Sequence, residues 1–239
     1  MFSLDKRTLY ILLAIIMLFN LRNMNIEAVI LSIPGLLIAI TFHEFAHAFA
    51  ADKLGDDTPR QQGRLNLNPL SHLDPIGCIL LLIGGFGWGK PVQINPRNFD
   101  SKVSMSKGEA IVSFAGPLMN FILAFLFLML YYAVIKFNLL GSMDEMIIRV
   151  VTLIIYSIVM INIGLGVFNL IPLPPLDGSK ILKHFLSYNA KQWFENHEHI
   201  FYMVFMLLFI TGISSYIILP LINGAYGLLD GLVRLIFRF

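Results

Sequence analysis

Residues 28–51 read AVILSIPGLLIAITFHEFAHAFAA, and His43, Glu44 and His47 are the only ionisable side chains in the run. As a helix it would extend about 36 Å at 1.5 Å per residue, enough to cross a hydrocarbon layer of about 30 Å. Similar apolar runs occupy Ala110–Ile135, Met146–Ile171 and Ile200–Leu219. Two weaker ones flank them. Leu9–Leu21 is short for a crossing, and Leu221–Phe237 carries Asp230 and Arg234 four apart, where a helix lets them neutralise each other. The expectation is an all-α integral membrane protein of about six transmembrane helices.

Composition agrees. Of 239 residues, 57% are hydrophobic and 13% charged, against roughly 45–50% and about 25% in soluble domains. So little charge cannot cover a water-facing surface. A net charge of +2 leaves no basic stripe for nucleic acid. Cys78 is the only cysteine, which excludes an intramolecular disulfide and a thiolate-rich metal site. No small-residue cleavage site follows Leu21, so Leu9–Leu21 reads as a retained segment.

If the N-terminus is cytoplasmic and six segments cross, fourteen of the seventeen Lys and Arg residues fall inside, Arg234 and Arg238 among them. Only Arg22, Lys136 and Arg149 fall outside. That asymmetry predicts a multi-pass protein of the cell membrane, with its two polar connections, Asp52–Glu109 and Gly178–His199, in the cytoplasm. The first connection holds the short apolar stretch Ile76–Ile83 followed by alternate glycines, which suits a re-entrant loop between the second and third spans. Within it Val92-Gln93-Ile94-Asn95 alternates like a strand. No repeat or linker divides the chain, so residues 1–239 read as one domain. Its core is expected at about 28–183, and its C-terminal spans at about 200–237.

The chemistry sits at His43-Glu44-Phe45-Ala46-His47. On a helix, histidines at i and i+4 share a face and can bind one metal ion, while the intervening glutamate can act as general base toward a water that the metal activates. The bland alternative, a pair of packed histidines beside a solvated glutamate, is expensive inside a span. Each central charge there costs from about 2.5 to more than 10 kcal/mol. A catalytic zinc site wants three protein ligands and one open position. Asp177 is the best-placed third carboxylate, ending Asn169-Leu170-Ile171-Pro172-Leu173-Pro174-Pro175-Leu176-Asp177-Gly178 after a span. The prolines stop the helix and Gly178 permits a sharp turn. Spacing alone leaves open whether Asp177 is a ligand or a solvated residue at the headgroups.

HEFAH in one span and NLIPLPPLDG after a later one resemble the site-2 protease family of intramembrane zinc metalloproteases. The resemblance runs from about Pro34 to Lys183 and includes Gly63–Leu70, His72–Gly77, the Gly-Phe-Gly-Trp-Gly-Lys-Pro-Val loop and Ala115-Gly116-Pro117-Leu118-Met119-Asn120. It implies that His43, His47 and Asp177 bind one Zn2+ per chain, and that Glu44 is the base and proton shuttle. It also implies a membrane-protein substrate cut within or beside the bilayer. Neither a PDZ insertion nor a CBS pair is recognisable, so the chain is similar to the compact branch of the family. Oligomers and an inhibitory partner are both compatible with it.

Asn120 lies inside a span beside Gly116-Pro117, and the family pattern favours a place for it at the substrate backbone near the zinc. A kink cap or a helix-to-helix bond is the plainer alternative. Asn169 is a similar case whose plainer task is to bond the proline-rich turn. His72 is expected to hold its own loop, and Glu195–His199 to be a wet interfacial segment rather than a second metal site. The loop from Gly87 to Ile94 is expected to offer an edge for strand addition by unwound substrate. Two rival readings share these residues: a metalloprotease with a glutamate as third ligand, and a membrane zinc carrier or sensor that does not hydrolyse.

Overall fold

The computed structural model describes residues 25–84 and 88–238. Its helices are α1 (Ile26–Lys53), α2 (Thr58–Gln61), α3 (Pro69–His72), α4 (Pro75–Gly84), α5 (Met105–Lys136), α6 (Glu145–Asn169), α7 (Asp177–Phe185), α8 (Tyr188–Asn196), α9 (Glu198–Ile210) and α10 (Ile213–Phe237), with a 3-10 turn at Pro96–Asn98. The apolar runs become helices whose starts are capped by polar side chains. Asn25 accepts from the Ala28 amide, Ser104 from Lys107 and Asp144 from Met146. Each cap satisfies an amide that a helix start leaves without a partner.

Among the described residues α1, α5, α6 and α10 are long and apolar enough to cross a membrane. The protein is therefore all-helical with multiple apolar helices, as composition requires. Leu9–Leu21 and the glycine-rich residues 85–87 lie outside the described residues. No strand forms among those described. Residues 90–95 form neither helix nor strand, but exposure alternates from Pro91 to Asn95 as along an extended backbone, and a single antiparallel bridge joins Leu73 to Gly89.

α1, α5 and α6 pack against one another along their lengths, and α10 lies across α5 and α6. Ala124 and Leu128 of α5, Val159, Ile163 and Val167 of α6 and Val233 of α10 form the buried core. Since lipid is as apolar as leucine, close packing rather than escape from water holds such helices together. Their outer faces expose Ile30, Leu126 and Ile217, as contact with acyl chains demands.

Two sequence expectations are corrected at the C-terminus. Ile200–Leu219 is not one helix: Gly212, at φ 73°, separates α9 from α10. The 13 residues of α9 extend only about 20 Å, too short to cross. Residues 213–237 form one continuous helix instead. Its far end lies beside the end of α5, where the Tyr132 hydroxyl donates to Asp230 at 2.6 Å and Lys136 donates to the Phe237 carbonyl. Arg234 and Arg238 thus share an end of the bundle with Lys136 and Arg149, not with the polar connections. A hydropathy window cannot detect the break, because Thr211-Gly212 hardly lowers the mean of the apolar run around it.

The connection after α1 is a folded polar cap. Buried Asp56 receives the Thr58 hydroxyl, the Asn95 amide at 2.7 Å and the Asn98 side chain at 3.0 Å. Burial alone would raise its carboxyl, but the bonds from Thr58, Asn95 and Asn98 outweigh it and hold the pKa below the ordinary range. His72 is fully buried, with Nε2 donating to the Asn66 carbonyl at 2.7 Å, and its own carbonyl accepts the Lys90 amide at 2.8 Å. Arg64, also buried, donates to the carbonyls of Ser71 and Lys90. Together they fasten residues 88–95 against the end of α1.

Candidate metal and catalytic site

His43 and His47 project from adjacent turns of α1, 5% and 8% exposed. The proline-rich turn after α6 brings Asp177, the first residue of α7, to the same point. Its Oδ2 lies 3.3 Å from His43 Nε2 and 3.1 Å from His47 Nε2, and the two Nε2 atoms are 3.0 Å apart. Two close approaches make this possible. A Cβ on Gly116 of α5 would fall 2.5–2.7 Å from the two imidazoles, and a Cβ on Gly178 would collide with the carbonyl oxygens of Leu170 and Ile171. Glycine at 116 lets α5 press on the histidines. Glycine at 178 lets the turn fold back on the end of α6.

Hydrogen bonds on the far side of each ring fix what the near side offers. His47 Nδ1 lies 2.7 Å from the Val112 carbonyl, which can only accept. His43 Nδ1 lies 2.7 Å from Asn120 Oδ1, and the Asn120 amide nitrogen donates to the Ala39 carbonyl at 3.1 Å and to Asn162 Oδ1 at 2.9 Å. With the amide so oriented, its oxygen must face His43. Both rings therefore carry the proton on Nδ1, and a neutral imidazole then has only a lone pair at Nε2. In that neutral form, two lone pairs and a carboxylate oxygen converge at about 3 Å.

In that form the arrangement repels itself unless a metal ion or a proton sits at its centre. Tetrahedral ligands at about 2.0–2.1 Å from zinc stand about 3.3 Å from one another, close to the separations observed. The donor set, two imidazoles and a carboxylate, is one that zinc accepts. The second bond on each ring is the kind that orients metal-binding histidines elsewhere. The group fits a metal ion, and among the described residues it is the only such group of three. Glu195, His197, Glu198 and His199 form no second one; His197 Nδ1 bonds to the Trp193 carbonyl instead.

A cavity of about 400 Å3 opens onto the three ligands. Ile40, Val92, Ile94, Leu165 and Phe168 make much of its wall apolar, and Asn169, Lys180 and Trp88 add polar groups to it. Glu44 faces this space and is not a member of the ligand group. Its Oε2 accepts the Val92 amide at 3.0 Å, and Gly89 passes close enough that a Cβ there would touch Oε1 at 3.4 Å.

The structure thus brings His43, His47, Asp177 and Glu44 to one cavity. Asn120, expected at the substrate, stands behind His43: it is fully buried, is absent from the cavity lining and directs its amide to three protein partners. Its bonds to Ala39 of α1 and Asn162 of α6 set that placement. Asn169 does line the cavity, but its amide donates to the Leu165 carbonyl of its own helix rather than to the proline-rich turn. Sequence reasoning missed Asn162 altogether, and it read Val92 as part of a strand-addition edge without the amide bond to Glu44. A polar residue within an apolar span was the available signal for Asn162; Val92 acts through its backbone, for which a sequence has no mark.

Comparison with known proteins gives a consistent result. The model of peptidase family M50 matches residues 31–212. A Bacillus subtilis protein named "Putative zinc metalloprotease YwhC" is 39% identical over 192 residues, covering 79% of this chain and 84% of the relative. The protein named "Putative zinc metalloprotease Rip2" from Mycolicibacterium smegmatis is 28% identical over 213 residues, covering 79% and 77%. "Zinc metalloprotease MJ0392" from Methanocaldococcus jannaschii is 26% identical over 180 residues, covering 75% of this chain and 41% of that one. No solved structure matches the chain significantly.

Proposed function

The chain belongs to peptidase family M50, the site-2 protease family, and from that premise we propose that this zinc metalloprotease cuts membrane proteins within or beside their transmembrane segments. His43, His47 and Asp177 hold the zinc, and Glu44 is the general base. The observation that carries this assignment is the convergence of two Nε2 lone pairs and Asp177 Oδ2 beside, but not including, Glu44. A bound zinc ion would supply a Lewis acid that polarises the scissile carbonyl and lowers the pKa of water to about 7.

The chain's own residues then do the following. Glu44 takes a proton from the attacking water and passes it to the departing amine, work worth about 10²–10⁴ in rate. The Val92 amide donates to one carboxylate oxygen, so the other is left to face the water and the amine. The mainly apolar cavity wall suits a membrane segment, and residues 91–94 run extended along it. Substrate backbone, released from its helical bonds, pairs with that segment by strand addition. The site lies at the end of the bundle that carries ten of the fourteen Lys and Arg residues in the described chain. We place that end on the cytoplasmic side of the cell membrane.

The test is cleavage of a single-span membrane substrate by purified enzyme in detergent or liposomes. Wild type cuts it, a zinc chelator stops the reaction and added zinc restores it. Glu44→Gln keeps its zinc and cuts at least about 100-fold more slowly. A Glu44→Gln enzyme with undiminished cleavage would overturn the assignment of the base, while an intact zinc flux without hydrolysis would favour a carrier.

A further inference from the structure

Asn162 and Asn120 are both fully buried, and neither is among the residues that line the cavity. They nevertheless form an oriented chain that ends on a metal-binding residue. The Asn162 amide nitrogen donates to the Ile158 carbonyl one turn earlier in α6 at 2.9 Å, which turns its oxygen toward α5. Asn120 donates one amide hydrogen to that oxygen at 2.9 Å and the other to the Ala39 carbonyl of α1 at 3.1 Å. Only its oxygen remains, and it accepts from His43 Nδ1 at 2.7 Å. Each direction follows from the one before it, beginning at two main-chain carbonyls that can only accept.

We propose that Asn162 is a positioning residue for the metal site: through Asn120 it sets the tautomer and ring orientation of His43, and so the affinity of the site for zinc. His47 has no such side-chain support, because its Nδ1 bonds to the Val112 main-chain carbonyl. The site therefore rests on one histidine whose backing is main chain and one whose backing is a pair of asparagines. Placing two primary amides in an apolar bundle is costly unless their donors are used, and here three of the four amide hydrogens, and the Nδ1 hydrogen of His43, have acceptors. A plain helix-to-helix bond would need only one of the two residues to reach across. The second asparagine, and the orientation it imposes, is what the metal site requires.

The inference rests on the assignment of His43 as a ligand. Zinc affinity is measured by chelator competition in wild type, Asn162→Leu, Asn162→Asp and His43→Ala, alongside the thermal stability of each zinc-free protein. Asn162→Leu leaves an Asn120 hydrogen unpaired and should weaken zinc binding about tenfold. Asn162→Asp, protonated in this apolar setting, keeps an acceptor for Asn120 and a donor for Ile158, and should bind zinc nearly as wild type does. If Asn162→Leu does not fold, Asn162→Ala should show the same loss of affinity. Unchanged zinc affinity in the apolar variants, with only lower thermal stability, would reduce the pair to packing and overturn the proposal. Zinc binding that survives His43→Ala would instead overturn the ligand assignment beneath it.

Discussion

On one wall of the cavity, two histidines and an aspartate are held by α1, α5, α6 and the turn into α7, with backing bonds on both rings and a glycine pressed against them. On the other wall, Glu44 is steadied by one amide from the extended segment 88–95. The metal half is built from three side chains backed by helix packing, an asparagine and one main-chain carbonyl, and the base half from a single main-chain amide. On the proposed roles, binding a metal and moving a proton are separable, and substitutions should damage one without the other.

The largest effect should come from Gly116→Ala. Its methyl group would occupy space 2.5–2.7 Å from the imidazoles, a distance that side chains cannot tolerate without α5 moving. Zinc content and cleavage should both fall by more than tenfold; an enzyme that keeps both would show that α5 does not bear on the ligands as described. Next comes Val92→Pro, which deletes the donor to Glu44. Cleavage should fall about tenfold or more, in keeping with the loss of a hydrogen bond to a charged group, while zinc stays bound. Loss of zinc in this variant would merge the two halves.

Ile94→Pro sharpens the comparison further. It alters the same segment two residues from the amide that holds Glu44, so it isolates strand addition from positioning of the base. Cleavage of a membrane substrate should drop several-fold with zinc unchanged, and unchanged cleavage would remove strand addition from the mechanism. The smallest effect concerns the cap. Because the Asp56 carboxyl is held below its unfolded value, its contribution is fully present above the unfolded pKa of about 3.9 and is lost as pH falls through the lower folded value. Protection of the Asn95 amide, taken against its intrinsic exchange rate at each pH, should therefore fall in acid below about pH 4 and, in Asp56→Asn, already at neutral pH. Exchange that is indifferent to both would detach the cap from Asp56.

The same division explains what could be read beforehand. The helix bearing His43, Glu44 and His47 was legible because an i, i+4 pair of imidazoles inside an apolar run has few other meanings. Asp177 was legible only through the resemblance of its proline-rich stretch, since the 129 residues between them hide its approach to His47. Asn120 could be singled out as a polar residue in a span, but which way its amide pointed depended on how α1 and α6 packed around it. The merging of residues 213–237 into one helix turned on a positive φ at Gly212, a backbone choice that hydropathy does not register. The bond from the Val92 amide to Glu44 was invisible because it involves no Val92 side chain.

The central claim is that His43, His47 and Asp177 hold one zinc ion and that Glu44 does not. Zinc per chain, measured on purified wild type, Asp177→Ala and Glu44→Gln, tests it most directly. The account predicts one zinc in wild type and in Glu44→Gln, and far less in Asp177→Ala. Zinc retained in Asp177→Ala, or lost in Glu44→Gln, would contradict it.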